Sequence, residues 1–155
     1  VVDMALSRAE ETEAPAAALE LADGRMITGK TTDLLGPCAA LLLNALKELA
    51  GIPHSQPVIS PAAIEPIQTL KTQYLGSKNP RLHMDEVLIA LSVSAASDPN
   101  AQKALEQLPN LKGCQAHTSV MVSDVDRKLF MKLSIQATFE AKYENNSVIF
   151  PKKGI

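Results

Sequence analysis

The chain has 155 residues, 46% of them hydrophobic and only 3% aromatic, with no Trp and a formal net charge of −2. That is the length of one domain with enough apolar content for a proper core, which excludes global disorder. Mixed charge and few rings exclude an electrostatic or base-stacking nucleic-acid surface, so no nucleic-acid partner is expected.

With so few aromatics, the core must be built from Leu, Ile, Val, Ala and Met, which favours helix-rich packing. Cys38 and Cys114 stand far apart without a pairing pattern. No disulfide framework is expected, and a reducing cytoplasm is the natural location. The most apolar run, Pro37 to Leu43, falls well short of a membrane span, so no membrane partner is expected either. Residue 1 is Val rather than Met, and the chain reads as a fragment or processed piece of something larger.

Residues 1–14 favour helix but alternate charge without much apolar face, and read as a linker or the end of a preceding domain's helix. Ala17–Ala22 and Arg25–Gly29 flank Asp23-Gly24, a hairpin signal for a type I′ turn with positive φ at both central positions. Thr31, Thr32 or Asp33 then offers a cap and Pro37 a first helical residue, for a helix that closes at Gly51 with Pro53 beyond. Its leucines cover more than one face, so it belongs in the middle of the structure or at an interface. Pro66 predicts a single turn at 61–64, followed by a helix from about Pro66 to Leu75. Met84–Ala96 is the next helix, with Asp85 and Glu86 at its dipole-favoured end. Asp98-Pro99 opens another that runs to about Leu108.

The period then changes. Cys114–Ser123 reads as a strand, Asp124–Leu133 as a short helix capped by Asp124, and Ile135–Tyr143 as a cleanly alternating strand. Residues 144–155 read as a tail with a short strand at Val148–Phe150. The order β-β-α-α-α-α-β-α-β describes an α+β fold in a single domain over residues 15–143. It is a small mixed sheet of about four strands, with four or five helices packed mainly on one face.

Gly24-Arg25-Met26-Ile27-Thr28-Gly29-Lys30-Thr31 matches the G-x-x-x-x-G-K-[ST] nucleotide pattern letter for letter. The four intervening residues prefer an extended strand to a phosphate cradle, and the first Gly is already explained by the hairpin turn. A weaker version keeps Gly29, Lys30, Thr31 and Thr32 as an anion site where a strand meets a helix N-terminus. His83 and Glu86, three residues apart at a helix start, suit acid–base chemistry or a cap. His117 and Cys114 have ligand-like spacing, but residues three apart on a strand point to opposite faces, and two ligands do not make a zinc site. No metal and no cofactor is therefore expected. Cys38 near a helix start reads as a small buried hydrophobe, although that position also lowers a thiol pKa.

The strings ELADGRMITGKTTDLLG, ALLLNALKELAGI, ISPAAIEPIQTLKTQYLG, NPRLHMDEVLIALSVSAA and ALEQLPNLKGCQAHTSVMVSDVD resemble the C-terminal third of a bacterial family of uncharacterised proteins, over about Leu6 to Tyr143. Some members carry the label "ATP-dependent zinc protease", and no zinc-protease helix motif is present here to support it. The family favours small residues without Cys at Gly36–Cys38, which weakens a thiol mechanism. The resemblance implies a cytoplasmic protein with further domains before Val1, and brings no catalytic residues to transfer. The leading expectation is a structural and interaction domain, contributing to a homo-oligomer or completing a site with the rest of its own chain. The alternative is part of a phosphate- or nucleotide-dependent enzyme that uses Gly29–Thr32. A cleft, if present, is expected where the 29–33 junction faces His83–Glu86 or His117.

Overall fold

A computed structural model of the chain describes residues 1–142. Among these residues four strands form one mixed sheet, in the order β2-β1-β3-β4. β1 (Ala16–Glu20) pairs antiparallel with β2 (Met26–Lys30) and with β3 (Gln115–Thr118), and β3 pairs parallel with β4 (Gln136–Phe139). Six α-helices accompany them: α1 (Val2–Thr12), α2 (Pro37–Ala50), α3 (Pro61–Thr69), α4 (Met84–Ala95), α5 (Pro99–Leu105) and α6 (Asp124–Lys132). A π-helical turn, Leu70–Tyr74, extends α3, and a 3₁₀ turn, Leu108–Leu111, follows α5. The fold is α+β, and its strands and helices follow the order read from the sequence, with α1 placed ahead of them. None of the described helices is long and apolar enough to cross a membrane.

α2 is the centre. Every residue from Pro37 to Lys47 is buried, because β1 and β2 cover one side and α4 and α5 lie against others. Its leucines therefore serve the core of this chain. Gly51, in the left-handed region at φ 71°, ends the helix, and Pro37 starts it. The N-cap is Gly36 rather than Thr31, Thr32 or Asp33. Thr32 is engaged elsewhere, its Oγ1 accepting from the amides of Leu34 and Leu35 at 3.1 Å each. A side chain folded onto its own loop cannot also cap a helix five residues on.

The register separates the two faces of the sheet. Ala17, Leu19 and Ala116 join the main core with α2, whereas Ala16 and Ala18, equally buried, do not. The second pair lies under α1, which packs on β1, β2 and β3 through the buried Ala5. Residues 1–14, read as a linker or helix end, thus contain a helix seated on the sheet, and small alanines on both elements let them approach. His117, paired in register with Ala18, lies on this covered face and is only 3% exposed.

Several local expectations are corrected. The hairpin turn is a three-residue loop with Gly24 at φ 89° and Asp23 at ordinary φ, because the Leu21 amide pairs with the Arg25 carbonyl. That is a type I turn followed by a left-handed glycine, rather than type I′. α3 runs through Pro66, which is exposed one turn from the helix start, as is Ala62, whose carbonyl loses a donor. Water can satisfy that carbonyl, so the helix continues. α6 is capped by Ser123, whose Oγ accepts from the Asp126 amide at 3.2 Å, and not by Asp124. β3 stops at Thr118, and residues 119–123 leave the sheet as a loop. Tyr143 and the short strand read at Val148–Phe150 lie outside the described residues.

Candidate functional site

Within the G-x-x-x-x-G-K-[ST] match, Met26–Lys30 is β2, so three of the four residues between the two glycines are extended strand and do not wrap a phosphate. Gly29 has a packing reason: a Cβ there would stand 2.3 Å from the Leu41 amide nitrogen, inside α2. Lys30, Thr31 and Thr32 are buried, and Lys30 pairs with Ala16 on the α1 face. Burial pushes the Lys30 ammonium below its usual range. The N-terminal end of α2 begins only at Pro37.

The quartet does, however, brace the cavity found next to it. The Thr32 carbonyl accepts from Arg81 Nε at 2.7 Å. Leu35 bridges Leu82 in parallel, with the Leu82 amide donating to the Leu34 carbonyl at 3.0 Å and the Gly36 amide to the Leu82 carbonyl at 3.2 Å. This stitch sets the starts of α2 and α4 side by side. The loop 119–123 brings the start of α6 to the same place. Between them lies a cavity of about 230 Å³. Its polar lining is Asn79, Arg81, His83, Ser123 and Asp126, and its apolar wall includes Leu82, Val120 and Met121. Gly36, Pro37 and Cys38 close it on the α2 side.

Electrostatically, the site rests on one carboxylate. Glu86 Oε1 accepts from the His83 amide at 2.8 Å, the side-chain arm of a capping box. The same oxygen lies 3.1 Å from His83 Nδ1 and 2.8 Å from Lys71 Nζ. Burial opposes ionisation of Glu86, but the hydrogen bonds from His83 and the Lys71 ammonium outweigh it and hold the carboxyl at about 2. In return the Glu86 hydrogen bond raises the His83 pKa. Lys71 reaches this position from the π-helical turn and also donates to the Arg81 carbonyl at 2.6 Å. Such turns recur at functional sites because they re-aim one side chain within a helix. Asp126 Oδ1 accepts from the Met84 amide at 2.9 Å, tying α6 to the start of α4, and burial raises its pKa.

Of the residues singled out from sequence, His83 lines the cavity with Glu86 bonded to it, and Cys38 lines it while almost fully buried. His117 is elsewhere: Nε2 donates to Glu140 Oε2 at 2.8 Å, and Nδ1 lies 2.6 Å from Thr138 Oγ1, which holds β4 to β3. Cys114 faces the main core, so it and His117 point away from each other. Among the described residues no group of three or more His, Cys, Asp or Glu is placed to hold a metal. Arg81, Lys71, Ser123 and Asp126 were missed. Ser123 had a readable signal, a serine directly before an acidic helix start. The others carry none, because their partners lie far away in sequence.

A family model described as "Domain of unknown function DUF1846, C-terminal" matches residues 1–149. The UPF0371 protein of Corynebacterium efficiens is 58% identical over 148 residues, 96% of this chain and 30% of that protein. Its counterpart in Corynebacterium diphtheriae is 55% identical over the same shares of each chain. The UPF0371 protein of Streptococcus uberis is 46% identical over 148 residues, again 96% of this chain and 30% of that protein. The chain therefore spans less than a third of the curated relatives it matches.

Proposed function

Because this chain belongs to the DUF1846 C-terminal domain family and spans 30% of its relatives, we propose that it completes a small-molecule site shared with the N-terminal part of the full protein. The observation that carries this reading is the cavity where α2, α4 and α6 begin. At about 230 Å³ it is smaller than the ~300–1,000 Å³ of a self-sufficient ligand pocket, so a second wall would be needed. Its groups are nonetheless those of a site rather than of a packing defect. Arg81, His83, Asn79 and Ser123 outnumber the single lining carboxylate, Asp126, whose charge is already engaged by the Met84 amide. A donor-rich pocket with one guanidinium, beside helix starts, suits an acidic group, either a phosphate or a carboxylate.

The expected anion recognition thereby moves from Gly29–Thr32 to Arg81 and His83, with Thr32 as the brace. His83 is well placed for proton transfer as well. Glu86 fixes its Nδ1, and a hydrogen-bonded partner on one ring nitrogen orients the other. A cytoplasmic location is supported by Cys38 and Cys114, both buried in a chain whose stability draws on no disulfide framework.

The test is a thermal-shift screen of the full-length protein against phosphate- and carboxylate-bearing metabolites. Saturable stabilisation that is lost in His83→Gln is the expected result. A ligand whose effect survives both His83→Gln and Asn79→Ala would place binding elsewhere and overturn the reading.

A further inference from the structure

We propose that the outward face of α4 is the surface on which the N-terminal part of the full-length protein docks. Ile89 and Val93 are 62% and 71% exposed, and Ser92 and Ala96 are exposed beside them. These four recur at the spacing of one helical stripe. From Val87 to Ser97 the sequence carries no charged residue at all. A helix that faces water normally spends that face on charges, as α6 does with Arg127, Lys128 and Lys132. α4 does not.

A second apolar patch lies on the π-helical turn and the residue after it, where Leu70, Tyr74 and Leu75 are exposed, the last two 77% and 71%. The Lys71–Glu86 bridge pins that turn to the first turns of α4. The stripe begins at Ile89, six residues after His83 and so about 9 Å along the helix from the cavity lining.

The occupant follows from the proportions of the family. The matching model is that of a C-terminal domain, and each relative carries about 70% of its length outside the matched region. A covalently joined partner works at millimolar effective concentration and needs only a modest patch. A second copy of the chain lacks that tether and must associate at its free concentration, which makes it the weaker candidate. This inference shares with the proposed function only the presence of an N-terminal part, and it does not require the cavity to bind anything.

The experiment uses the full-length protein with other reactive cysteines replaced. It carries Val93→Cys, or Lys112→Cys as an exposed control, and each is treated with a benzophenone maleimide. Docking predicts thiol labelling at least tenfold slower at position 93 than at 112, and photo-adducts between position 93 and peptides of the N-terminal part. Equal labelling at the two positions overturns the proposal, as do adducts joining position 93 of two copies. A ligand effect lost in His83→Gln together with equal labelling would overturn the docking face and leave the shared site standing.

Discussion

Gly29→Ala separates a packing glycine from a phosphate-loop glycine. The added Cβ would run into one stretch of α2 backbone, 2.3 Å from Leu41 N, 2.7 Å from Leu41 Cα and 2.8 Å from the Ala40 carbonyl carbon. Backbone cannot rotate aside as a side chain does. α2 must therefore lift from β2 by about 1 Å to restore ordinary contact, which forfeits a quarter to a half of the dispersion energy along that seam. Overpacking of this kind costs ~1–3 kcal/mol, here at the upper end, while the stiffer unfolded chain returns ~0.4–1 kcal/mol. The net expectation is a loss of about 2 kcal/mol, or roughly 4–8 °C in Tm for a domain of this size. Gly24→Ala is the control: its φ of 89° disfavours a side chain, but no atom lies within 4 Å, so about 1 kcal/mol is expected. Urea unfolding of the two variants at unchanged m-value reads the difference. Gly29→Ala within 0.5 kcal/mol of the parent, or milder than Gly24→Ala, would refute the seating of α2 on β2.

Glu86, with its pKa depressed from 4.5 to about 2, contributes stability that is present above pH 4.5 and lost as pH falls towards 2. Glu86→Gln should flatten that acid limb. At pH 7 it should cost about 2 kcal/mol, less than the ~3–5 kcal/mol of a fully buried broken pair, because Lys71 and Glu86 keep some solvent contact. His83 works in the opposite sense: its pKa is raised, so its contribution is complete below 6.5 and fades as pH rises through the folded value. Urea midpoints from pH 2 to 9 read both limbs. His117→Leu removes the links to Thr138 on β4 and to Glu140 just beyond it, and should cost about 1–2 kcal/mol. In that variant the Glu140 amide, bonded to the Thr118 carbonyl at 3.0 Å, should exchange faster while the β1–β2 amides do not. Uniform acceleration across the sheet would contradict a local role. Ser123→Ala removes the α6 cap and should cost about 1 kcal/mol, read by the same urea titration.

Local chemistry made most of the fold legible. Pro37 and Gly51 bracket α2 as first-residue proline and left-handed glycine should, and the leucines on every side placed it in the interior. The expectation failed where neighbours distant in sequence decide. Pro66 stands inside a helix because its lost hydrogen bond faces water, a fact of exposure and not of sequence. α1 carried too few apolar residues to look packed, yet one buried Ala5 suffices against a strand of alanines. At the site, His83 and Glu86 were legible because a capping box is a local pattern. Arg81 was not, since it is fixed by the carbonyl of Thr32, forty-nine residues away in sequence. The match to the nucleotide pattern has a local origin instead: its spacing is met by a glycine of the hairpin loop and a packing glycine on β2.

The proposed closure of the cavity beside Met121 by the N-terminal part of the full protein can be tested at that residue. A photo-crosslinking amino acid in place of Met121, on the apolar wall of the cavity, tests it directly in the full-length protein. Adducts to peptides preceding this domain are the predicted result. Adducts confined to the domain itself would contradict the account and leave the cavity a surface feature of a free-standing module.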